Sequence, residues 1–183
     1  MADHVIEDPA LRQRYSFSRS TDPDGGEVLH IDTWVDPGGG VTPHVHPAME
    51  ERFHVLEGRP SFLAGKEWRT AAPGEEVVVA AGVRHAYRND GDAPAHVRCD
   101  VRPPASLQAF LEEVAELSQA GLISRRGLPT RPSALVRAAA LAERHRDMVT
   151  LLFPPMPPPF VQRLLFPPLA ALARRRDAQG SPR

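Results

Sequence analysis

The chain predicts an all-β domain followed by an α-helical C-terminal segment. Three observations lead there. Between Glu27 and Arg102, short apolar or alternating runs recur about every ten residues, with turn-forming residues between them. Beyond Ala105 the apolar period becomes helical. The charge balance reverses at about the same place: residues 1–104 carry 17 acids against 11 bases, residues 105–183 carry 6 against 11. The expected division is an N-terminal arm or edge strand over 1–26, a β-barrel over 27–104, and a helical, Pro/Arg-rich extension over 105–183.

Totals narrow the class of protein. A length of 183 residues admits one domain with an appendage, and 42% hydrophobic with 25% charged residues describes a globular chain rather than a disordered one. A net charge of −1 provides no global field toward nucleic acid. The single cysteine, Cys99, excludes an internal disulfide framework and any multi-cysteine zinc or iron–sulfur site. The start, Met1 to Asp8, is neither basic nor apolar, so no secretory signal is visible and a cytoplasmic protein is expected. With 20 prolines and Lys66 the only lysine, the composition is that of GC-rich bacterial coding.

Each strand has its reason. Glu27–Val35, Glu51–Leu56, Pro60–Ala64, Glu76–Ala80, Arg84–Arg88 and Ala95–Val101 have strand length and β-branched or aromatic content. Between them stand Asp36-Pro37-Gly38-Gly39-Gly40, Glu57-Gly58-Arg59-Pro60, Ala72-Pro73-Gly74, Ala81-Gly82 and Asn89-Asp90-Gly91-Asp92. In these turns Gly supplies positive φ, Pro a fixed φ, and Asn or Asp a local side-chain bond. Two strands leave a choice of face. Either Val97, Cys99 and Val101 point inward, or Arg98 does and could hold an anion; Leu29, Ile31 and Val35 compete likewise with His30, Asp32 and Trp34.

The histidines are arranged for metal chemistry. His44 and His46, at i and i+2, share one face of an extended segment. In the strand that follows, an inward Glu51 brings Phe53 and Val55 with it, whereas an inward Glu50 would bury Arg52 and His54. Burying the charged set costs far more, so Glu51 is the candidate ligand and Glu50 its solvated neighbour. His85 follows Gly82 on another strand, with Tyr87 on its face. Three imidazoles and a carboxylate suit a divalent first-row metal with positions left open, not calcium or magnesium. Phe53 and Tyr87 share parity with ligands and are expected to line the pocket. Asn89 opens a hairpin turn and is read as structural.

These residues resemble the two cupin motifs. Gly38-x5-His44-x-His46-x4-Glu51-x6-Gly58 matches the first at every fixed position. Gly74-x5-Ala80-x-Gly82-x2-His85-x3-Asn89 matches the second, except that Ala80 stands where the family usually has Pro. The resemblance spans about Val28 to Pro103. It implies a double-stranded β-helix (jelly-roll) barrel with the metal in its mouth, held by His44, His46, Glu51 and His85, and commonly a homodimer. Iron, manganese or nickel is favoured, with zinc, cobalt or copper as alternatives. Three activities remain open by analogy: a dioxygenase acting on a small enol, diol or β-dicarbonyl, with Glu51 as catalytic base; a metal-dependent isomerase or cyclase; and a module that binds a small molecule without turnover.

The extension lies outside the resemblance. Ser106 is a candidate N-cap; Leu107, Phe110, Leu111, Val114 and Leu117 form one helical stripe, and Gly121 supplies the stop. This helix is expected on the barrel's outer surface or on a partner subunit. Ser133 opens a second helix expected to run from Ala134 to about Leu152. Residues 148–173 are apolar enough for a membrane span, but seven prolines, Pro167 and Pro168 among them, are expected to break any continuous helix. Two readings remain for 148–176: a hydrophobic arm or lid over the barrel or a dimer mate, or a peripheral membrane contact with Arg174-Arg175-Arg176 at anionic headgroups.

Overall fold

The computed structural model describes residues 5–152 and 158–180. Among these, ten strands come first: β1 (Ile6–Asp8), β2 (Gln13–Thr21), β3 (Glu27–Val35), β4 (Gly40–Val45), β5 (Glu50–Glu57), β6 (Ser61–Ala64), β7 (Glu67–Thr70), β8 (Glu76–Val79), β9 (His85–Arg88) and β10 (Ala95–Arg102). Helices α1 (Leu107–Gln119) and α2 (Pro132–Arg144), strand β11 (Thr150–Leu151) and helix α3 (Pro159–Gly180) follow.

The strands form two sheets, ordered β1-β2-β3-β10-β5-β8 and β11-β4-β9-β6-β7, with every pairing antiparallel. Non-consecutive neighbours such as β3 beside β10 and β4 beside β9 arise because the chain crosses repeatedly between the sheets, as in a jelly roll. Alternation decides what faces the core. On β5, Glu51, Phe53 and Val55 are buried, while Arg52 pairs with Glu50 and Glu76 on the outer face. On β10 the apolar set Val97, Cys99 and Val101 is buried, and Arg98 turns outward to Asp32 at 2.7 Å. On β3, Leu29, Ile31 and Val35 are buried while His30 and Asp32 face outward, bonded to Asp100 and His96.

Two turns set the register of the barrel's mouth. Gly82, at φ +79°, makes the turn into β9, and its N–H donates to the His46 carbonyl at 2.8 Å, tying the two histidine-bearing loops together. At Gly40 a Cβ would sit 2.3 Å from the Tyr87 carbonyl oxygen, so only glycine lets β4 approach β9. Asn89 is structural: its side-chain N–H groups donate to the Val35 and Ala93 carbonyls, and its Oδ1 accepts from Gly91.

The extension differs from expectation in three respects. First, the stripe Leu107, Phe110, Leu111, Val114 and Leu117 lines the barrel's own cavity rather than its outer surface. The helix is pinned there through β1: Ser118 Oγ accepts from the Ala10 N–H, and Gln119 donates to the Glu7 carbonyl. Ser106 makes no side-chain cap and instead contacts His145, whose other ring nitrogen meets Glu113, latching α1 to the end of α2.

Second, α2 ends at Arg144, well short of Leu152. Val149 and Thr150 are β-branched and suit a strand, and the chain turns to pair β11 with β4, Leu151 lying opposite His44.

Third, Pro167 and Pro168 sit inside α3 without ending it. Each removes one ladder hydrogen bond, but α3 packs on α2 and buries Gln162, Ala170 and Ala173, which holds the helix together. Among the described residues no helix is long and apolar enough to cross a membrane. Pro154, Pro155 and Pro157 of the proline cluster lie outside the described residues.

Candidate metal centre

His44 lies on β4, His46 one residue past its end, and His85 opens β9; β4 and β9 are neighbours, with His44 opposite His85. Glu51 reaches them from β5 in the facing sheet. One donor atom from each of these four side chains lies within 4.8 Å of all the others. His46, Glu51 and His85 are buried.

The backbone fixes how the rings face. Nδ1 of His44 lies 2.9 Å from the Thr42 carbonyl oxygen, Nδ1 of His46 2.9 Å from that of Met148, and Nδ1 of His85 2.9 Å from that of Val83. A carbonyl only accepts, so each Nδ1 donates and carries the ring's proton, leaving the Nε2 lone pair for the interior. This is the outer-shell arrangement that orients histidine ligands. One of its three carbonyls, from Met148, belongs to the extension.

The strongest test of fit is Glu51 against His85. His85 Nε2 stands 2.6 Å from Glu51 Oε2, yet both atoms are buried without a hydrogen bond; His46 Nε2 is 3.7 Å from Glu51 Oε1. Two lone pairs aimed at each other at that distance repel unless a positive charge lies between them, either the proton that Glu51 draws to His85 or a cation that replaces it. A divalent cation meets that requirement, and the donor set suits it.

The electrostatics agree. Burial pushes His44 down, with His85 and His46 adding to it, to about 3. Burial also lowers His46, against the pull of Glu51. For Glu51 burial acts upward, but contact with His85 and the charges of the three imidazoles outweigh it and hold the carboxyl at about 2. His85 moves oppositely: burial disfavours its charge, and Glu51 overcomes burial and raises it. At neutral pH Glu51 is therefore ionised and His44 and His46 neutral, the states in which they bind a metal, and the proton drawn to His85 is the one a cation displaces.

Above the four residues lies a cavity of about 200 Å³. Phe53 and Tyr87 line it, as do Cys99, Ile31 and Tyr15 from the barrel, the α1 stripe, and Gln162, Arg163 and Phe166 from α3. The α1 stripe and the Met148 carbonyl were not identified as site components from the sequence; the α3 residues belong to the segment for which an arm or lid over the barrel was one of the two readings. For Tyr15 a signal existed: Tyr15 and Phe17 alternate with polar residues, a period-two run within the N-terminal arm. His30, His54 and His96 pair with outer-face acids, His145 belongs to the α1–α2 latch, and none of these joins the cluster.

A two-sheet antiparallel barrel with an inward three-histidine, one-glutamate group at its mouth defines a cupin. Residues 33–101 match the family described as Cupin domain, and the barrel of this chain is a cupin domain. The tetracenomycin polyketide synthase protein TcmJ of Streptomyces glaucescens is 31% identical over 80 residues, covering 44% of this chain and 52% of that protein. Protein SchB of Streptomyces halstedii is 29% identical over 94 residues, covering 49% and 68%. The match thus spans only about half the length of TcmJ. A crystal structure of an RmlC-like cupin from Shewanella frigidimarina superposes with a TM-score of 0.51 at 13% identity, covering 58% of this chain and 89% of that one, and shows the fold alone.

Proposed function

We propose that the chain is a metal-dependent oxidoreductase of dioxygenase type, acting on a small substrate that presents an enol, diol or β-dicarbonyl. The observation that carries this reading is the buried, unpaired contact of Glu51 with His85 beside two imidazoles held Nε2-inward, all at the floor of an apolar cavity. His44, His46, Glu51 and His85 would hold a divalent first-row metal, with iron, manganese or nickel favoured, which would supply Lewis acidity and redox chemistry.

The chain's own residues do the rest. Phe53, Cys99 and the α1 stripe exclude water and present flat apolar walls to the substrate. Glu51 is ionised and faces the cavity floor, where it can take the proton of an enol or phenol. The similarity to TcmJ supports the substrate class: a polyketide is a run of β-dicarbonyl units that enolises to phenols.

Oxygen uptake tests the reading. Iron-loaded protein is expected to consume dioxygen with a 1,3-diketone or flavonol. Product formed by zinc-loaded protein without oxygen uptake would move the reaction to a cyclase or isomerase. Absence of both uptake and product across the panel would refute an enzyme of this class.

A further inference from the structure

The inference rests on the proposed enol or phenol substrate and adds a second contact for it, on the N-terminal strand β2. Gln13 and Tyr15 lie on β2, 3% and 1% exposed, and Tyr87 lies on β9. The Tyr87 hydroxyl donates to Gln13 Oε1 at 2.8 Å, and Gln13 Nε2 donates to the Tyr15 oxygen.

Counting protons through this chain leaves one over. Tyr87 spends its only proton on the amide oxygen, and the Tyr15 oxygen receives an amide proton, so the Tyr15 O–H proton is unspent. Among the described residues the Tyr15 oxygen has no hydrogen-bond partner other than Gln13; the buried Asp8 carboxylate acts on it only through its charge. Tyr15 lines the same cavity as His44, His46, Glu51 and His85. A buried donor left without an acceptor is destabilising, and an acceptor arriving in the cavity relieves that cost. Exchanging the amide nitrogen and oxygen would free the Tyr87 proton instead, and Tyr87 also lines the cavity. Burial holds the Tyr15 phenol well above its ordinary pKa, so it stays a donor.

We propose that the Tyr15 hydroxyl donates to a second oxygen of the substrate, selecting a dioxygenated aromatic or enolic molecule whose first oxygen faces the histidine–glutamate group. Tyr15 is thereby a specificity-determining residue, and the substrate class narrows to neighbouring diols or their keto tautomers.

The test uses zinc-loaded full-length protein under anaerobic conditions, so that binding is read without turnover. Two fluorescent probes are titrated: 1,8-dihydroxynaphthalene, with two oxygens on one edge, and 1-naphthol, with one. For Tyr15→Phe the diol is expected to bind about tenfold more weakly and the mono-ol to change by less than about twofold, the value of one lost hydrogen bond. The triple variant Tyr15→Phe with Gln13→Leu and Tyr87→Phe, which strands no member of this hydrogen-bond chain, should show the same split when compared with the pair Gln13→Leu and Tyr87→Phe. Equal weakening of both probes would make Tyr15 merely structural, and unchanged diol binding would remove the contact; either overturns the inference and leaves the proposed function standing. The same split in Tyr87→Phe instead of Tyr15→Phe would overturn the assignment to Tyr15. Failure of the wild type to bind either probe would overturn both the substrate class and this inference.

Discussion

Replacing Glu51 with Gln keeps the shape of the side chain and removes its charge, so it isolates the electrostatic role of that residue. In the metal-free protein the carboxyl is held at about 2 against an ordinary 4.5, chiefly by His85 and the other two imidazoles acting against burial. Folding therefore favours the ionised form. The contribution is fully present above pH 4.5 and is lost as pH falls toward 2. Because the amide mimics the protonated acid, Glu51→Gln forfeits about 3 kcal/mol at neutral pH, from 1.36 kcal/mol per pH unit. For a chain of this size that lowers Tm by about 6–12 °C. Thermal unfolding of chelator-treated protein measures it, with Glu50→Gln as the control. Glu50 lies on the outer face beside Arg52, and its substitution should move stability by no more than about 0.5 kcal/mol. Metal content after loading should fall for Glu51→Gln and not for Glu50→Gln. Equal Tm and equal metal content in the two variants would refute the reasoning.

Other outcomes follow from the same geometry. His85→Ala should lose bound metal, read by elemental analysis, while far-UV circular dichroism stays that of the barrel. Metal-free protein should lose the stability contributed by His44 and His46 as pH falls below 6.5. The unfolded chain takes up those protons there, whereas folded His44 holds out to about 3 and folded His46 is also lowered; His85, raised, acts in the opposite direction. Urea unfolding at pH 7.5 and 5 checks the net sign. Gly82→Ala meets no atom within 4 Å but adopts φ +79°, so it should cost about 1–2 kcal/mol through backbone strain alone, measured by urea unfolding. Gly40→Ala drives a Cβ into the Tyr87 carbonyl and should abolish soluble expression.

The barrel strands were legible because half-buried strands must alternate, and the turns were legible because Gly, Pro and Asn have backbone reasons to stand where they do. Parity alone separated Glu51 from Glu50, and Cys99 falls on the inward face its apolar neighbours indicate. Strands β1 and β11, of three and two residues, carry too little period to register, β7 is exposed along its whole length and so shows no alternation, and β2 was anticipated only as an arm or edge strand. The extension shows the limit most clearly. An amphipathic stripe states that α1 needs an apolar partner, but not which one, and proline chemistry overstated the break at Pro167 and Pro168 because packing on α2 compensates.

By itself the sequence determined which side chains share a face and which atom types are on offer to a metal, because those depend on local geometry and chemistry. Only the tertiary structure decided that the extension folds over the barrel's own mouth, that the Met148 carbonyl orients His46, and that Tyr15 joins the cavity. These are contacts between segments far apart in the chain, and their energy exists only once the barrel has closed.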